Sequence, residues 1–180
     1  GRQLLACGIN DLQQAAQLTI TREIEVSALV TIREAWLARA HELRVKVRYD
    51  AILAKVLADA LAGMPTLNSV VEGDRIVVLS DVNVGVATAT PGGLVVPVLH
   101  RADQRSLVDI SRTIDALALR ARDDRLTAED LAGGTVTLTN MGVYGVDAFT
   151  PILNPPESAI LGAGRIQPKP VVRDGQIVVR

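Results

Sequence analysis

Aromatic side chains are nearly missing from this sequence of 180 residues: Trp36, Tyr49, Tyr144 and Phe149 make up only 2% of it. A core must therefore come from Val, Leu, Ile and Ala, which suits helices packed on a sheet. The same scarcity removes platforms on which bases stack. With a formal net charge of −1 and charges of both signs interspersed, no basic field exists to attract a polyphosphate backbone, which argues against nucleic-acid binding. Cys7 is the single cysteine, so no internal disulfide can form and no second thiol stands at metal-ligand spacing. That favours a reducing compartment, the cytoplasm or, in a eukaryote, the mitochondrial matrix. No apolar run reaches the roughly 18 residues that cross a bilayer, and no charged-then-apolar leader opens the chain, so no membrane association is expected. Two distant histidines and one cysteine offer no metal cluster, and no metal is expected.

What is present is 48% apolar residues, enough for one ordinary domain spanning residues 1–180. Residues 17–26 alternate apolar and polar side chains, as a strand with one wet face does. Ser27 reads as the cap of a helix over 28–43, and a second, mostly apolar helix is predicted over 51–62, ending at Gly63. From Leu67 to Leu99 the chain reads as strands: LNSVV, a Gly73-Asp74 turn, RIVVLS, NVGVATA and LVVPVL. Pro97 inside the last run implies an edge or a bulge. Ser106 with Asp109, and Thr127 with Asp130, open two more helices, the second ended by Gly133-Gly134. NPPES at 154–158 reads as a rigid turn before AILGAG, most simply a buried strand. The fold class expected is α/β in the α+β sense, a mixed β-sheet covered by helices.

Chemistry is harder to place from spacing. His41 reads as a solvated helix-end residue, and His100, in LHRAD, as a surface strand exit or a base paired with Asp103. No phosphate loop, dinucleotide fingerprint or nucleophile elbow is present. The segment GGTVTLTNMGVYG at 133–145 stands out because glycines frame a strand and leave Thr139 and Asn140 at its exit. Thr139 is either a hydroxyl aimed into a cleft, able to donate to an oxyanion, or a β-branched strand residue before a turn.

Four segments together carry a family resemblance: LTITREIEVSAL (18–29), TPGGLVVPV (90–98), RLTAEDLAGGTVTLTNMGVYG (125–145) and TPILNPPESAILGAGRI (150–166). In this order they resemble the catalytic domain of the dihydrolipoamide acyltransferases, core components of 2-oxo acid dehydrogenase complexes. The resemblance implies a fold like chloramphenicol acetyltransferase, with active sites in channels between subunits of a homotrimer. Such trimers build a cubic or dodecahedral core of 24 or 60 subunits, which works with decarboxylase and dihydrolipoamide dehydrogenase components. It implies transfer of an acyl group from a lipoyl thioester, carried on a separate domain, to coenzyme A.

In that reaction a histidine deprotonates the coenzyme A thiol, and a hydroxyl stabilises the negative tetrahedral oxygen. The resemblance places that hydroxyl on Thr139. It places Asn140 beside the thiol channel, Gly164 near the closing strand, and Arg33 and Arg48 against coenzyme A. The family's Asp-His-Arg-x-x-Asp-Gly motif follows the strand that GQIVVR begins, so the general base is expected beyond Arg180. His100-Arg101-Ala102-Asp103 is no substitute, being one residue short before the Asp and lacking the Gly. GRQLLACGINDLQQAAQ also departs from the basic segment usual in the family. Branched-chain or acetyl donors are expected ahead of succinyl. A catalytically inactive core subunit of the same fold is the alternative.

Overall fold

A computed structural model describes residues 17–180; Cys7 and the segment through Ala16 lie outside the described residues. Apolar periodicity produces the helices. Helix α1 (Ser27–Ala38) and the short α2 (Ala40–Leu43) precede α3 (Tyr49–Ala62), which buries Ala51, Ile52, Ala54, Ala58 and Leu61. Small residues on that face let it approach the sheet closely. Ser27 is the first helical residue rather than the cap; Val26 occupies the cap position, and the Ser27 amide donates to the Glu25 carboxylate at 3.2 Å. Helix α4 (Leu107–Arg122) starts at Ser106, whose hydroxyl accepts from the Asp109 amide. Helix α5 (Ala128–Leu131) carries the reciprocal capping box of Thr127 and Asp130. Both are as the spacing predicts.

Three two-stranded hairpins surround one central sheet. The hairpins are β1 (Ser69–Glu72) with β2 (Arg75–Val78), β4 (Thr88–Thr90) with β5 (Gly93–Val95), and β9 (Pro170–Arg173) with β10 (Gln176–Val179). The central sheet comprises β3 (Val84–Val86), β6 (Val98–Leu99), β7 (Val136–Asn140) and β8 (Ile160–Ala163), in the order β6-β3-β7-β8. Strand β6 runs antiparallel to β3, whereas β3, β7 and β8 are parallel, so the sheet is mixed. Pro97 falls at the edge strand, where its missing amide does no harm, and its carbonyl accepts from Val86.

Four expectations are corrected. NVGVATA and LVVPVL each divide between the central sheet and the β4-β5 hairpin. AILGAG forms β8, but as an edge strand with Leu161 and Gly162 exposed. Residues 17–26 belong to no strand and pair with none among the described residues. The hairpin partner β9 lies outside every predicted strand, because two of its four residues, Pro170 and Arg173, break the apolar pattern.

The two faces of the central sheet differ. Period-two alternation directs Val84, Val86, Val136 and Leu138 into one apolar cluster with Ala51, Ala54, Ala58, Leu61, Ile110 and Ile114 of α3 and α4. No aromatic residue belongs to that cluster. The opposite face presents Gly85, Thr137, Thr139 and Gly162, a row of small or hydroxylated residues.

Candidate active site

Thr139 and Asn140 end β7 at the carboxyl edge of the three parallel strands, the edge at which open α/β sheets bind ligands. Thr139 is half-buried on the face opposite the apolar core and stands in register with Gly162 of β8. A Cβ on Gly162 would meet the Phe149 ring at 3.0 Å and Pro151 at 3.3 Å. That glycine therefore leaves room for an aromatic wall one strand away from the threonine. Two residues earlier on the same face, the Thr137 hydroxyl donates to the buried Glu157 carboxyl at 2.5 Å. The Thr139 hydroxyl has no such partner among the described residues.

Asn140 is engaged at both the nitrogen and the oxygen of its side-chain amide. Its amide donates to Asp50 at 2.7 Å, and its carbonyl oxygen accepts from the Gly142 amide at 2.9 Å. It thus ties the strand exit to the first turn of α3 and fixes the turn that follows. The next residue of this arrangement is Tyr49, over whose ring the Arg33 guanidinium lies at 4.5 Å. Arg33 is half-buried, and its Nε is buried with no hydrogen-bond partner among the described residues. Arg48 occupies the cap position of α3, exposed, with its guanidinium 3.4 Å from Asp115 of α4. Four of the sequence-predicted residues, Thr139, Asn140, Arg33 and Arg48, are thereby linked through the amino end of α3.

Beside Arg48 opens a groove of about 610 Å³, lined in part by His41, Arg44, Lys46 and Asp115. Lys46 and Arg44 were not singled out by the sequence; their signal is the basic run through Arg48, whose common direction becomes visible only once α2 turns at Arg44 with a positive φ of 52°. Gly164 has a different part. A Cβ there would lie 2.2 Å from the Asp147 carbonyl oxygen, and one on Gly142 would lie 2.6 Å from the Gly164 carbonyl oxygen. These glycines let three backbone segments cross at the sheet's carboxyl edge. Arg165 next to them forks onto Asp147 at 2.5 and 3.0 Å, and this guanidinium holds the Asp147 carboxyl below its usual range.

His100 stands elsewhere. Leu99 pairs with Val84 at the amino end of the parallel strands, so the histidine after it projects from the edge opposite Thr139. Its Nε2 lies 3.4 Å from the Glu129 carbonyl oxygen. The geometry separates it from the threonine, as its surroundings in the sequence imply. Among the described residues no three His, Cys, Asp or Glu side chains are grouped to hold a metal ion.

The 2-oxoacid dehydrogenases acyltransferase (catalytic domain) model matches residues 9–180. The chain is 40% identical over 166 residues to the dihydrolipoyllysine-residue succinyltransferase component of the 2-oxoglutarate dehydrogenase complex of Cupriavidus necator, covering 92% of this chain and 40% of that protein. It is also 40% identical over 179 residues to the dihydrolipoyllysine-residue acetyltransferase component of the pyruvate dehydrogenase complex of Staphylococcus aureus, covering 98% and 42%. The chain thus spans about two-fifths of the length of these relatives. A crystallographic study of a serine, a histidine and an asparagine in the mechanism of Azotobacter vinelandii dihydrolipoamide acetyltransferase superposes with a TM-score of 0.95 at 32% identity, covering 99% of this chain and 74% of that one. The cubic core of a pyruvate dehydrogenase multienzyme complex superposes with a TM-score of 0.92 at 32% identity, covering 99% and 76%.

Proposed function

Because the chain belongs to the 2-oxoacid dehydrogenase acyltransferases, as their catalytic domain, we propose that it moves an acyl group from a dihydrolipoyl thioester to coenzyme A within a multisubunit core. The single observation that carries this reading is the Thr139 hydroxyl, without a partner among the described residues, at the carboxyl edge of the parallel strands and on the face opposite the core. Attack of the coenzyme A thiolate on the thioester carbonyl places negative charge on oxygen. A hydroxyl already in place and free of competing bonds stabilises that charge without reorganising. The similarity to the Azotobacter vinelandii enzyme, studied for its serine and histidine, supports a hydroxyl in this role and a histidine as the base acting on the thiol.

Coenzyme A is long and carries phosphates at one end. The thiol end reaches Thr139, and Arg33 and Arg48 lie along the path that leads to the groove lined by His41, Arg44 and Lys46. A guanidinium suits phosphate because it donates two parallel hydrogen bonds. Asn140 holds the strand exit in place beside this path.

Acetyl is the favoured acyl group. Phe149 and Pro151 put apolar surface beside Thr139, and Arg165, two residues past β8, already forks onto Asp147, with which a succinyl carboxylate would compete. A succinyl donor is the second reading, favoured by the Cupriavidus necator relative; ranking succinyl last finds no support. The relatives named are succinyl and acetyl types, so a branched-chain donor draws none from them. Comparing S-acetyl-, S-succinyl- and S-isobutyryl-dihydrolipoamide with the full-length assembled protein decides. The highest kcat/KM is expected for the acetyl donor. Absence of transfer from all three supports the inactive core subunit instead.

A further inference from the structure

Thr137, the first threonine of β7, is bound where Thr139 is free, and its partner is unusual. Glu157 is 4% exposed and Thr137 is 2% exposed, so both are withdrawn from water. The Thr137 hydroxyl donates to one carboxyl oxygen of Glu157 at 2.5 Å, and the Asn154 amide donates to the other at 3.0 Å. Two glycines make space for this pair. A Cβ on Gly134 would stand 2.9 Å from Glu157 Oε1, and one on Gly85 would stand 3.2 Å from Thr137 Oγ1. No arginine, lysine or histidine among the described residues forms an ion pair with Glu157. Burial pushes its carboxyl above the usual range, against the bonds donated by Thr137 and Asn154, and glutamine is its near-isosteric replacement.

The pair also joins separate parts of the chain. Glu157 bridges to Val70 of β1, and the adjacent Ser158 hydroxyl donates to the Ser69 carbonyl at 2.5 Å. The segment 149–158, which carries Phe149 and Pro151 over Gly162, is thus pinned to the same strand face as Thr139. A strand that slides or rotates at Thr137 carries Thr139 with it, since the two are separated by one pleat period.

We propose that Glu157 is a positioning residue: through the Thr137 hydroxyl it fixes the depth and register at which β7 presents the Thr139 hydroxyl to the thioester carbonyl. The proposal rests on the role assigned to Thr139. Hydroxyl placement matters because a misplacement of about 1 Å near reacting atoms lowers rates by about 10²-fold. Removal of the carboxyl affects kcat rather than the binding of coenzyme A, whose path lies along α3.

The test uses the full-length assembled protein with a lipoyl thioester donor and coenzyme A. Glu157→Ala and the near-isosteric Thr137→Val should each lower kcat about tenfold or more with KM for coenzyme A within twofold, while Glu157→Gln restores kcat to within about threefold of wild type. A purely structural role predicts instead a lowered melting temperature with unaltered kcat in the surviving folded protein. Should Glu157→Ala fail to fold, Thr137→Val carries the comparison. In a Thr139→Ala background, Thr137→Val should add little, because both act on one hydroxyl. Additive losses there, or wild-type kcat in both Thr137→Val and Glu157→Ala, overturn the role of Glu157. Wild-type kcat in Thr139→Ala alone overturns the reading of Thr139 itself.

Discussion

Arg33 and Glu157 illustrate how differently single residues announce themselves. Arg33 sits on an otherwise apolar helical stripe, and its guanidinium stacks on Tyr49 with a buried Nε that has no partner among the described residues, the feature on which its proposed role toward coenzyme A rests. Arg33→Ala should raise KM for coenzyme A about tenfold or more with kcat little changed, since it removes binding common to ground and transition states. Glu157, in contrast, looks like one more polar residue of a proline turn; only the fold reveals that it is buried. Its raised carboxyl pKa has a consequence for stability. The folded protein retains a proton that the unfolded chain releases near 4.5, so stability falls as pH rises above that value and is unaffected well below it. Glu157→Gln, neutral at every pH, should melt higher than wild type at pH 8, and the two melting temperatures should converge toward pH 4. Parallel melting curves across that range contradict a buried, protonation-sensitive carboxyl.

Among the elements, those with a local signal were legible. The caps at Ser106 and Thr127, the buried α3 face and the Gly73-Asp74 turn follow from side chains within a few residues of one another. What the sequence could not locate were pairings set from a distance. Strand β9 has a proline and an arginine among its four residues and is a strand only because β10 lies beside it. Residues 17–26 alternate like a strand yet join no sheet among the described residues. The candidate site was legible in its residue types, through Thr139 and its glycine frame, but the tie from Asn140 to Asp50 spans 90 positions and has no local trace. Glycine roles separate at this scale too. Gly164→Ala drives a Cβ to within 2.2 Å of the Asp147 carbonyl oxygen and should destabilise by about 1–3 kcal/mol or more, or roughly 2–4 °C in Tm per kcal/mol for a domain of this size. Gly92→Ala, whose nearest neighbour would be 3.8 Å away, should change stability by no more than about 0.5 kcal/mol. Equal effects of the two in thermal melts contradict the crossing of backbones at Gly164.

For the molecule as a whole, the segment 17–26 is turned outward. Glu23 pairs with Lys169 and Glu25 with Arg173 of β9, so two exposed ion pairs tether its polar side chains to the hairpin. Its apolar face is exposed, with Leu18 and Ile20 each at 84%. Val172, Ile177 and Val179 of the neighbouring hairpin are exposed as well. Exposed apolar side chains of this kind are candidates for an interface, and a multisubunit core such as the one to which the chain is similar would cover them with other copies of the chain. Ile20→Asp with Ile24→Asp should reduce the assembly to smaller species in light scattering after size-exclusion chromatography, and unchanged mass contradicts that use of the surface. The proposed transfer reaction depends above all on the Thr139 hydroxyl. In the full-length assembled protein, Thr139→Ala should lower kcat for acyl transfer to coenzyme A by about 10²–10³-fold with KM for coenzyme A nearly unchanged, and Thr139→Ser should retain most of the rate. Turnover in the alanine variant within a fewfold of wild type contradicts it.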